Sequence, residues 1–379
     1  MEINISVSEL SKALNIVQGV VQRKNTMPIL SHVLLETTVN SSGEGCLVLS
    51  ATDLDVGMRI MRTCEVKEPG AITVSARALL DIVKMLPKPQ VTLKGLPNQH
   101  LHIQSGKTNA RLLALAPEEF PKLTDTSGTQ FHSIKTALFA DMIQKTIYAT
   151  SQDENRYNLT GVYFEPQSDS PQQVVLVATD GHRLSRVQHV LTSDSTRFEQ
   201  SAILPRKGLT EMLRLLETVQ DKENSTFEFG LLGNQAIIKT QDTVLTMRLI
   251  EGKFPDYHQV IPKVSDKIIQ LSRLDLLTSL KRVSVLASDK TQSVKLVTNK
   301  DELTVSCVNP EAGEVSDNLP IEYKGPEVEI GFNARYIIEA LASLTENDVI
   351  IKLTDSLSPV LIAGMGESRH LCVVMPMRM

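Results

Sequence analysis

The chain has 379 residues, length for two or three domains. Its 41% hydrophobic and 22% charged residues are an ordinary globular balance that argues against extended disorder. A net charge of −5, no tryptophan and only 4% aromatic residues speak, as composition, against a protein that stacks nucleic-acid bases. No stretch reaches the roughly 18 apolar residues of a membrane span. The opening MEINISVSEL lacks the basic and apolar regions of a signal peptide, so neither feature is expected. Cys46, Cys64, Cys307 and Cys372 lie far apart without metal-ligand spacing, which predicts reduced, mostly buried thiols and a cytoplasmic protein.

In chain order, helical periodicity first appears from Ser8, a candidate N-cap. An alternating stretch follows at His32-Val-Leu-Leu-Glu-Thr-Thr, a second helical pattern at Val74-Ser-Ala-Arg-Ala-Leu-Leu, and a strand at His100-Leu-His-Ile-Gln. After Phe120-Pro121 the order recurs. Thr136-Ala-Leu-Phe-Ala reads as helix, Val174-Val-Leu-Val-Ala as strand, Leu204-Pro-Arg-Lys-Gly-Leu as helix and Gln235-Ala-Ile-Ile-Lys as strand. After Phe254-Pro255 it recurs again. Ser272, a second candidate N-cap, opens a helix; Glu302-Leu-Thr-Val-Ser-Cys-Val reads as strand, Phe332-Asn-Ala-Arg-Tyr as helix and Asp348-Val-Ile-Ile-Lys as strand. Met375-Pro376 closes the series.

The second helices superpose in register. Arg77, Arg206 and Arg335 stand at equal offsets of 129, with Leu80/Leu209/Ile338, Val83/Met212/Leu341 and Leu86/Leu215/Leu344 on one face. The chain therefore reads as three copies of one α+β unit, each with two helices and an antiparallel sheet, over 1–124, 125–253 and 254–379. Repeats of this kind suit a quasi-symmetric assembly. Charge is unevenly spread: windows 8–21, 76–88, 135–149, 205–217, 272–287 and 333–345 hold thirteen basic and seven acidic residues, leaving the rest of the chain at −11. A basic helical layer on an otherwise acidic chain can hold a phosphate backbone without reading bases.

Catalytic patterns are missing. There is no GxSxG serine, P-loop, GxGxxG or HExxH. Asp180-Gly-His182-Arg183 has no nucleophile beside it, and Asp53-Leu-Asp55, at the repeat-equivalent position, reads as a turn rather than a metal site. No cofactor, metal or catalytic residue is expected. Two readings remain, a repeat protein whose basic helices hold DNA and a repeat scaffold that does not bind DNA.

The strings Met27-Pro-Ile-Leu, Ala178-Thr-Asp-Gly-His-Arg-Leu, Pro205-Arg-Lys-Gly, Gly252-Lys-Phe-Pro-Asp-Tyr, Ile330-Gly-Phe-Asn and Val373-Val-Met-Pro-Met-Arg-Met resemble the bacterial DNA polymerase III β subunit, the replicative sliding-clamp family. The likeness runs from residue 1 to 379. It implies a non-catalytic processivity subunit with the DNA clamp fold: a head-to-tail homodimer forming a ring, with helices lining the hole and sheets outside. Its partners would be duplex DNA, bound without sequence preference, and the polymerase III catalytic subunit, clamp loader, other polymerases and repair proteins, which bind through short linear motifs.

The resemblance also implies a peptide pocket formed by Leu159, Thr179, Gly181, His182, Arg183, Leu184, Pro255, Gln259, Val260, Leu357, Pro359, Val373, Val374, Met375, Pro376, Met377, Arg378 and Met379, with Asn333 and Tyr336 on its rim. The three methionines would supply adaptable apolar contacts. Asn158, Gln259 and Met379 depart from residues common in the family, which bears on peptide preference. By matching strings, DNA would meet Lys24, Arg77, Gln152, Arg156, Tyr157 and Arg206. Ring closure would pair an edge strand at residues 109–115 with one at 302–308, and pack Leu112 near Val285 and Leu286.

Overall fold

In a computed structural model, the residues described are 1–21, 27–40, 42–191, 198–219, 221–262, 265–288, 292–366 and 369–378; the side chain of residue 171 is not described. Lys24 and Met379 lie outside these residues. The chain begins with β1 (Glu2–Ser6), α1 (Val7–Val17), β2 (His32–Val39), β3 (Gly45–Thr52), β4 (Val56–Thr63), β5 (Glu65–Glu68), β6 (Ala71–Ser75), α2 (Ala76–Lys84), β7 (Gln90–Leu96), β8 (His100–Ser105) and β9 (Thr108–Leu115). Next come β10 (His132–Lys135), α3 (Thr136–Ile147), β11 (Gly161–Gln167), β12 (Ser170–Thr179), β13 (Arg183–Val190), β14 (Ala202–Pro205), α4 (Arg206–Glu217), β15 (Thr226–Leu232), β16 (Gln235–Lys239) and β17 (Thr243–Arg248). The last are β18 (Lys267–Ser272), α5 (Arg273–Val283), β19 (Ser293–Asn299), β20 (Glu302–Asn309), β21 (Gly313–Pro320), β22 (Val328–Asn333), α6 (Ala334–Ser343), β23 (Asp348–Leu353), β24 (Val360–Gly364) and β25 (His370–Val374). One pattern occurs three times: strand, helix, three strands, strand, helix, three strands. The first copy adds β5.

Each of the six α-helices follows directly on a strand, and three of their starts carry a side-chain cap. Ser75, Ser272 and Asn333 accept a backbone N–H from the first turns of α2, α5 and α6. The expected cap at Ser8 is corrected: α1 starts at Val7, so Ser6 is its N-cap residue, without a side-chain bond. The shared face is real, since Val83, Met212 and Leu341 are all buried, although Ile338 is only partly covered.

The helices are shorter than their windows, which leaves Lys88 and Lys135 outside them. Eleven basic residues then face seven acidic ones within helices, a smaller excess than expected. Lys12, Arg77, Lys145, Arg214 and Arg335 also pair with acids three or four residues away on their own helices. The exposed pairs of Lys12, Arg77 and Arg335 are worth little, so those cations can exchange partners, whereas Glu211 is buried and Lys145 largely covered.

The chain folds as two compact units: residues 1–137 with 207–249, and residues 138–206 with 250–379. The first contains a thirteen-stranded sheet in the order β10-β15-β16-β17-β4-β3-β2-β6-β9-β8-β7-β1-β5. Here β17 of the second repeat pairs antiparallel with β4 of the first. Arg62 fastens that seam, reaching Glu9 on α1 and Asp242 beside β17. The second unit contains an eight-stranded sheet, β14-β11-β12-β13-β25-β24-β23-β18, and a four-stranded one, β21-β20-β19-β22. Here β13 pairs antiparallel with β25, again joining two repeats.

The expected edge strand at residues 302–308 is corrected. β20 is hydrogen-bonded on both sides, by β19 and β21, and the outer strand is β21. In β9 only Ala114 and Leu115 pair with β6, so residues 108–113 keep an open side. Among the described residues no helix is long and apolar enough to cross a membrane.

The packing makes a graded demand on α6. Leu341, buried in the core of the third repeat, should cost about 2–5 kcal/mol when cut to alanine. Exposed Arg335, on the same helix, should cost less than about 1 kcal/mol. Urea denaturation of the two variants checks the contrast; equal costs would place the buried face elsewhere.

Candidate functional site

The site lies in the second unit, where β13 meets β25. Antiparallel pairing sets Arg183 opposite Val374, Leu184 opposite Val373 and Ser185 opposite Cys372. Side chains alternate across a sheet, so the junction has two chemically distinct faces. Leu184 and Val373 join an apolar cluster with Leu159, Val175, Val177, Ile203, Phe254 and Tyr257. Ser185 and Cys372 face the helices instead: Ser185 donates to the Lys145 carbonyl (2.5 Å), and Cys372 contacts the Tyr148 hydroxyl (3.3 Å).

The turn from β12 to β13 is built from short polar side chains. Thr179 Oγ1 donates to the Arg183 carbonyl (2.6 Å) and accepts from the Gly181 N–H. Asp180 Oδ1 accepts from the N–H groups of His182 and Arg183. Gly181 has φ +89°, which suits glycine. The first repeat makes the same turn between β3 and β4, with Thr52 bonding Leu54 and Val56, and Asp53 bonding Asp55 and Val56. The seams also match: Arg248 N–H donates to the Asp55 carbonyl as Met375 N–H donates to that of His182.

The first seam nevertheless differs in content. Where the second has Leu184, the first has Gly57, and a Cβ there would lie 2.8 Å from the Thr246 hydroxyl of β17 and 3.0 Å from Leu123 of the following linker. Those two side chains occupy that space. At the second seam the linker instead brings Phe254 and Tyr257 onto the sheet. Phe254 stacks on Tyr163 at 4.8 Å, and the Tyr257 hydroxyl donates to Glu165 (2.6 Å). A cavity of about 230 Å³ remains between turn, strand and linker.

Leu159, Thr179, Gly181, Arg183, Leu184, Pro255, Val260, Val373 and Met375, all among the residues expected for a pocket, line this cavity. Asp256 and Tyr257 line it too and were missed. The available signal was the aromatic residue closing Gly252-Lys-Phe-Pro-Asp-Tyr, since an aromatic in a linker needs somewhere to bury. Val374 is corrected. It is 1% exposed and packs in the core of the third repeat, because alternation sends it to the face opposite Val373.

The other expected residues lie outside the cavity lining. Pairing of Val360 with Val374 brings Pro359 beside Met375, and Leu357 is 65% exposed on the same loop. Gln259 donates to Asp256 (2.9 Å), and Asn158 donates to the Lys253 carbonyl (3.0 Å), holding the linker. The tail continues past Pro376 to Met377, whose N–H donates to the Gly331 carbonyl (2.8 Å) on β22, with exposed Arg378 beyond. That route passes a second patch, where the His182 and Tyr336 rings stack at 6.3 Å and Asn333 caps α6.

Arg183 sits behind the turn, 8% exposed. Its Nε donates to Asp180 (3.0 Å), one Nη to the Tyr148 carbonyl (2.7 Å) and the other to Glu339 of α6. The guanidinium lies over the rings of Tyr336 (4.7 Å) and Tyr148 (5.3 Å). Burial tends to raise the Glu339 carboxyl, but hydrogen bonds from Arg183 and Arg335 hold it below its ordinary value. Behind Ser185 and Cys372 lies His370, 2.9 Å from the serine and 3.4 Å from the thiol. Burial, with a smaller contribution from nearby Lys145, pushes its pKa down to about 4.

The other candidates are scattered. Arg77 is exposed on α2 beside Asp81, Arg206 is exposed at the start of α4, and Gln152 and Tyr157 are exposed after α3. Arg156 is committed to the turn, donating to Asp153 (3.0 Å) and the Asp180 carbonyl (2.8 Å). Leu112 and Leu286 are partly covered, while Val285 is 79% exposed. Among the described residues no group of three or more His, Cys, Asp or Glu could hold a metal. Asp53 pairs with Lys207 instead. All four cysteines are free thiols.

Three family models match the chain. They are the DNA polymerase III beta subunit N-terminal domain over residues 1–124, central domain over 133–256 and C-terminal domain over 258–378. The chain is 33% identical over 386 residues to the beta sliding clamp of Pseudomonas putida, and 32% identical over 381 residues to that of Escherichia coli. Each comparison covers 100% of both chains. A solved sliding clamp from Bartonella birtlesii, bound to griselimycin, aligns over 100% of both chains with a TM-score of 0.92 and 33% identity.

The buried histidine makes stability depend on acid. Its folded pKa of about 4 lies below its ordinary 6.5, so the unfolded chain takes up the proton first. The stability of neutral His370 is complete above pH 6.5 and declines to a loss of about 3 kcal/mol near pH 4. Urea titrations across that range check this, and His370→Gln should remove that share of the acid sensitivity.

Proposed function

The chain belongs to the DNA polymerase III beta subunit family and is a DNA sliding clamp, and from this we propose how its parts serve that role. It is not itself an enzyme; it raises the processivity of a polymerase by keeping it on duplex DNA. Two copies join head to tail into a ring of six domains, each chain contributing three over about 1–124, 125–253 and 254–379. The ring is held in the cytoplasm around DNA by topology, with helices toward the duplex. Arg77, Gln152, Tyr157, Arg206 and Lys24 are the proposed contacts. Arg156 joins them only by giving up its bonds to the turn.

The observation that carries this reading is that the repeated sheet leaves an open strand side in the first repeat and another in the third. Residues 108–113 of β9 present Arg111 and Leu113, the latter 67% exposed. β21 presents Glu314, while its Asp317 is paired with Arg282 of α5, and Val285 lies close by in sequence after α5. Opposite charge and matching apolar side chains suit antiparallel pairing of β9 with the β21 of a second copy, packing Leu112 near Val285 and Leu286. β21 replaces residues 302–308 in this role.

We further propose that the cavity at the β13–β25 seam takes short peptides from the polymerase, the clamp loader and other DNA-processing partners. A few apolar anchors with main-chain hydrogen bonds suffice for such binding. The cavity, the adjoining Met375–Met377 tail and the His182–Tyr336 patch supply them. Tethering replaces a bimolecular search with a local concentration on the order of millimolar.

Retention on DNA tests the ring. Protein loaded on a circular plasmid should remain bound and leave once the plasmid is cut; equal loss from both forms overturns encirclement. A second measurement tests the pocket. Deleting residues 375–379 should leave the dimer mass unchanged and weaken peptide binding at least about tenfold, roughly 1.4 kcal/mol. Unchanged peptide affinity would move the partner site elsewhere.

A further inference from the structure

We propose that Glu339, which lies outside the cavity lining, is a positioning residue for the partner peptide: through Arg183 it holds the Asp180 turn where the cavity stays open. The inference rests on reading that cavity as the peptide site. It starts from the comparison of two turns in one chain. The β3–β4 turn makes the same backbone and side-chain hydrogen bonds with Val56 where the second turn has Arg183. The turn therefore folds without a guanidinium, and Arg183 must contribute something other than its shape.

What it contributes is an attachment to the helices. In the first repeat, Asp53 reaches α4 directly through Lys207. In the second, Asp180 reaches α6 through two ionic links, Asp180–Arg183 and Arg183–Glu339. A third contact to the Tyr148 carbonyl fixes the guanidinium at the end of α3. Arg183 and Gly181 also line the cavity, so the position of this attachment sets one cavity wall.

Glu339 does not serve Arg183 alone. Its other oxygen accepts from Arg335 Nε (2.9 Å), on the exposed face of α6. Asp180, Arg183, Glu339 and Arg335 thus form a chain of alternating charge running from cavity wall to helix surface, with no excess charge. Removing Glu339 leaves a buried guanidinium with one carboxylate fewer, and the turn gains freedom to leave its open position. A peptide that binds only the open arrangement then binds a smaller fraction of the protein, so its apparent affinity falls by that fraction.

The test is a stopped-flow titration of a fluorescent synthetic peptide bearing two adjacent large apolar side chains, matched to the cavity lining, against the full chain. Glu339→Gln should lower the association rate and the affinity by about fivefold or more, with the dissociation rate little changed even though the thermal midpoint falls. Glu339→Asp, which keeps the charge, should recover part of the loss. Arg335→Gln, which removes only the competing cation, should not weaken binding. Equal affinity of Glu339→Gln and the unaltered chain overturns the positioning role, as does a matching loss in Arg335→Gln, which also decides the case if Glu339→Gln fails to fold. Absence of peptide binding by the unaltered chain would instead overturn the reading of the cavity, and the proposal with it.

Discussion

The backbone pairing of β13 with β25 is the constraint on which the rest of the second unit depends. It joins strands from different repeats, and its register sorts every neighbouring side chain to one of two environments. A slip of β25 by one residue would turn Val373 toward the helices and Cys372 toward the linker. The apolar floor of the cavity and the polar layer behind it would be lost together. Each seam thus meets two demands at once, the need of an open strand edge for a partner and the need of a linker for an apolar surface to cover.

What was legible in the sequence was mainly local. Helix faces at Val83, Met212 and Leu341 show because their period is short and their partners are nearby, and the equal spacing of Arg77, Arg206 and Arg335 exposes the repeat. The cavity residues came from resemblance, since nothing in the spacing of Leu159, Thr179 and Met375 places them side by side. β21, Gly-Glu-Val-Ser-Asp-Asn-Leu-Pro, leaves little strand signal because it is polar, which suits an outer strand in water, whereas β20 beside it is more apolar. Val374 was misassigned because a continuous tail was treated as one surface, whereas a strand presents alternate residues to opposite sides. The link from Arg183 to Glu339 joins residues far apart in the chain and leaves no local mark.

The two seams also show how one frame acquires different uses. Their turns and crossing hydrogen bonds agree, so the difference comes from a few side chains. Gly57 makes room that Thr246 and Leu123 fill, and the first seam is closed by its own linker. With Leu184 at the corresponding place, the linker approaches differently, and Tyr257 is held back by Glu165. Repetition supplied the scaffold, and substitution at contact points decided where a recess could persist.

The size of that recess sets a rule of occupancy. On the proposed reading of that recess as the peptide site, about 230 Å³ admits one or two apolar side chains, so two peptides that need it would exclude each other from one chain. Proteins using it must take turns, and which is present at a given time is decided by their abundance and by how long each stays. A shallow, adaptable recess flanked by methionines favours short stays. On that reading the smallness of the cavity would work as a schedule, by which a clamp already around DNA offers one recess to one visitor after another.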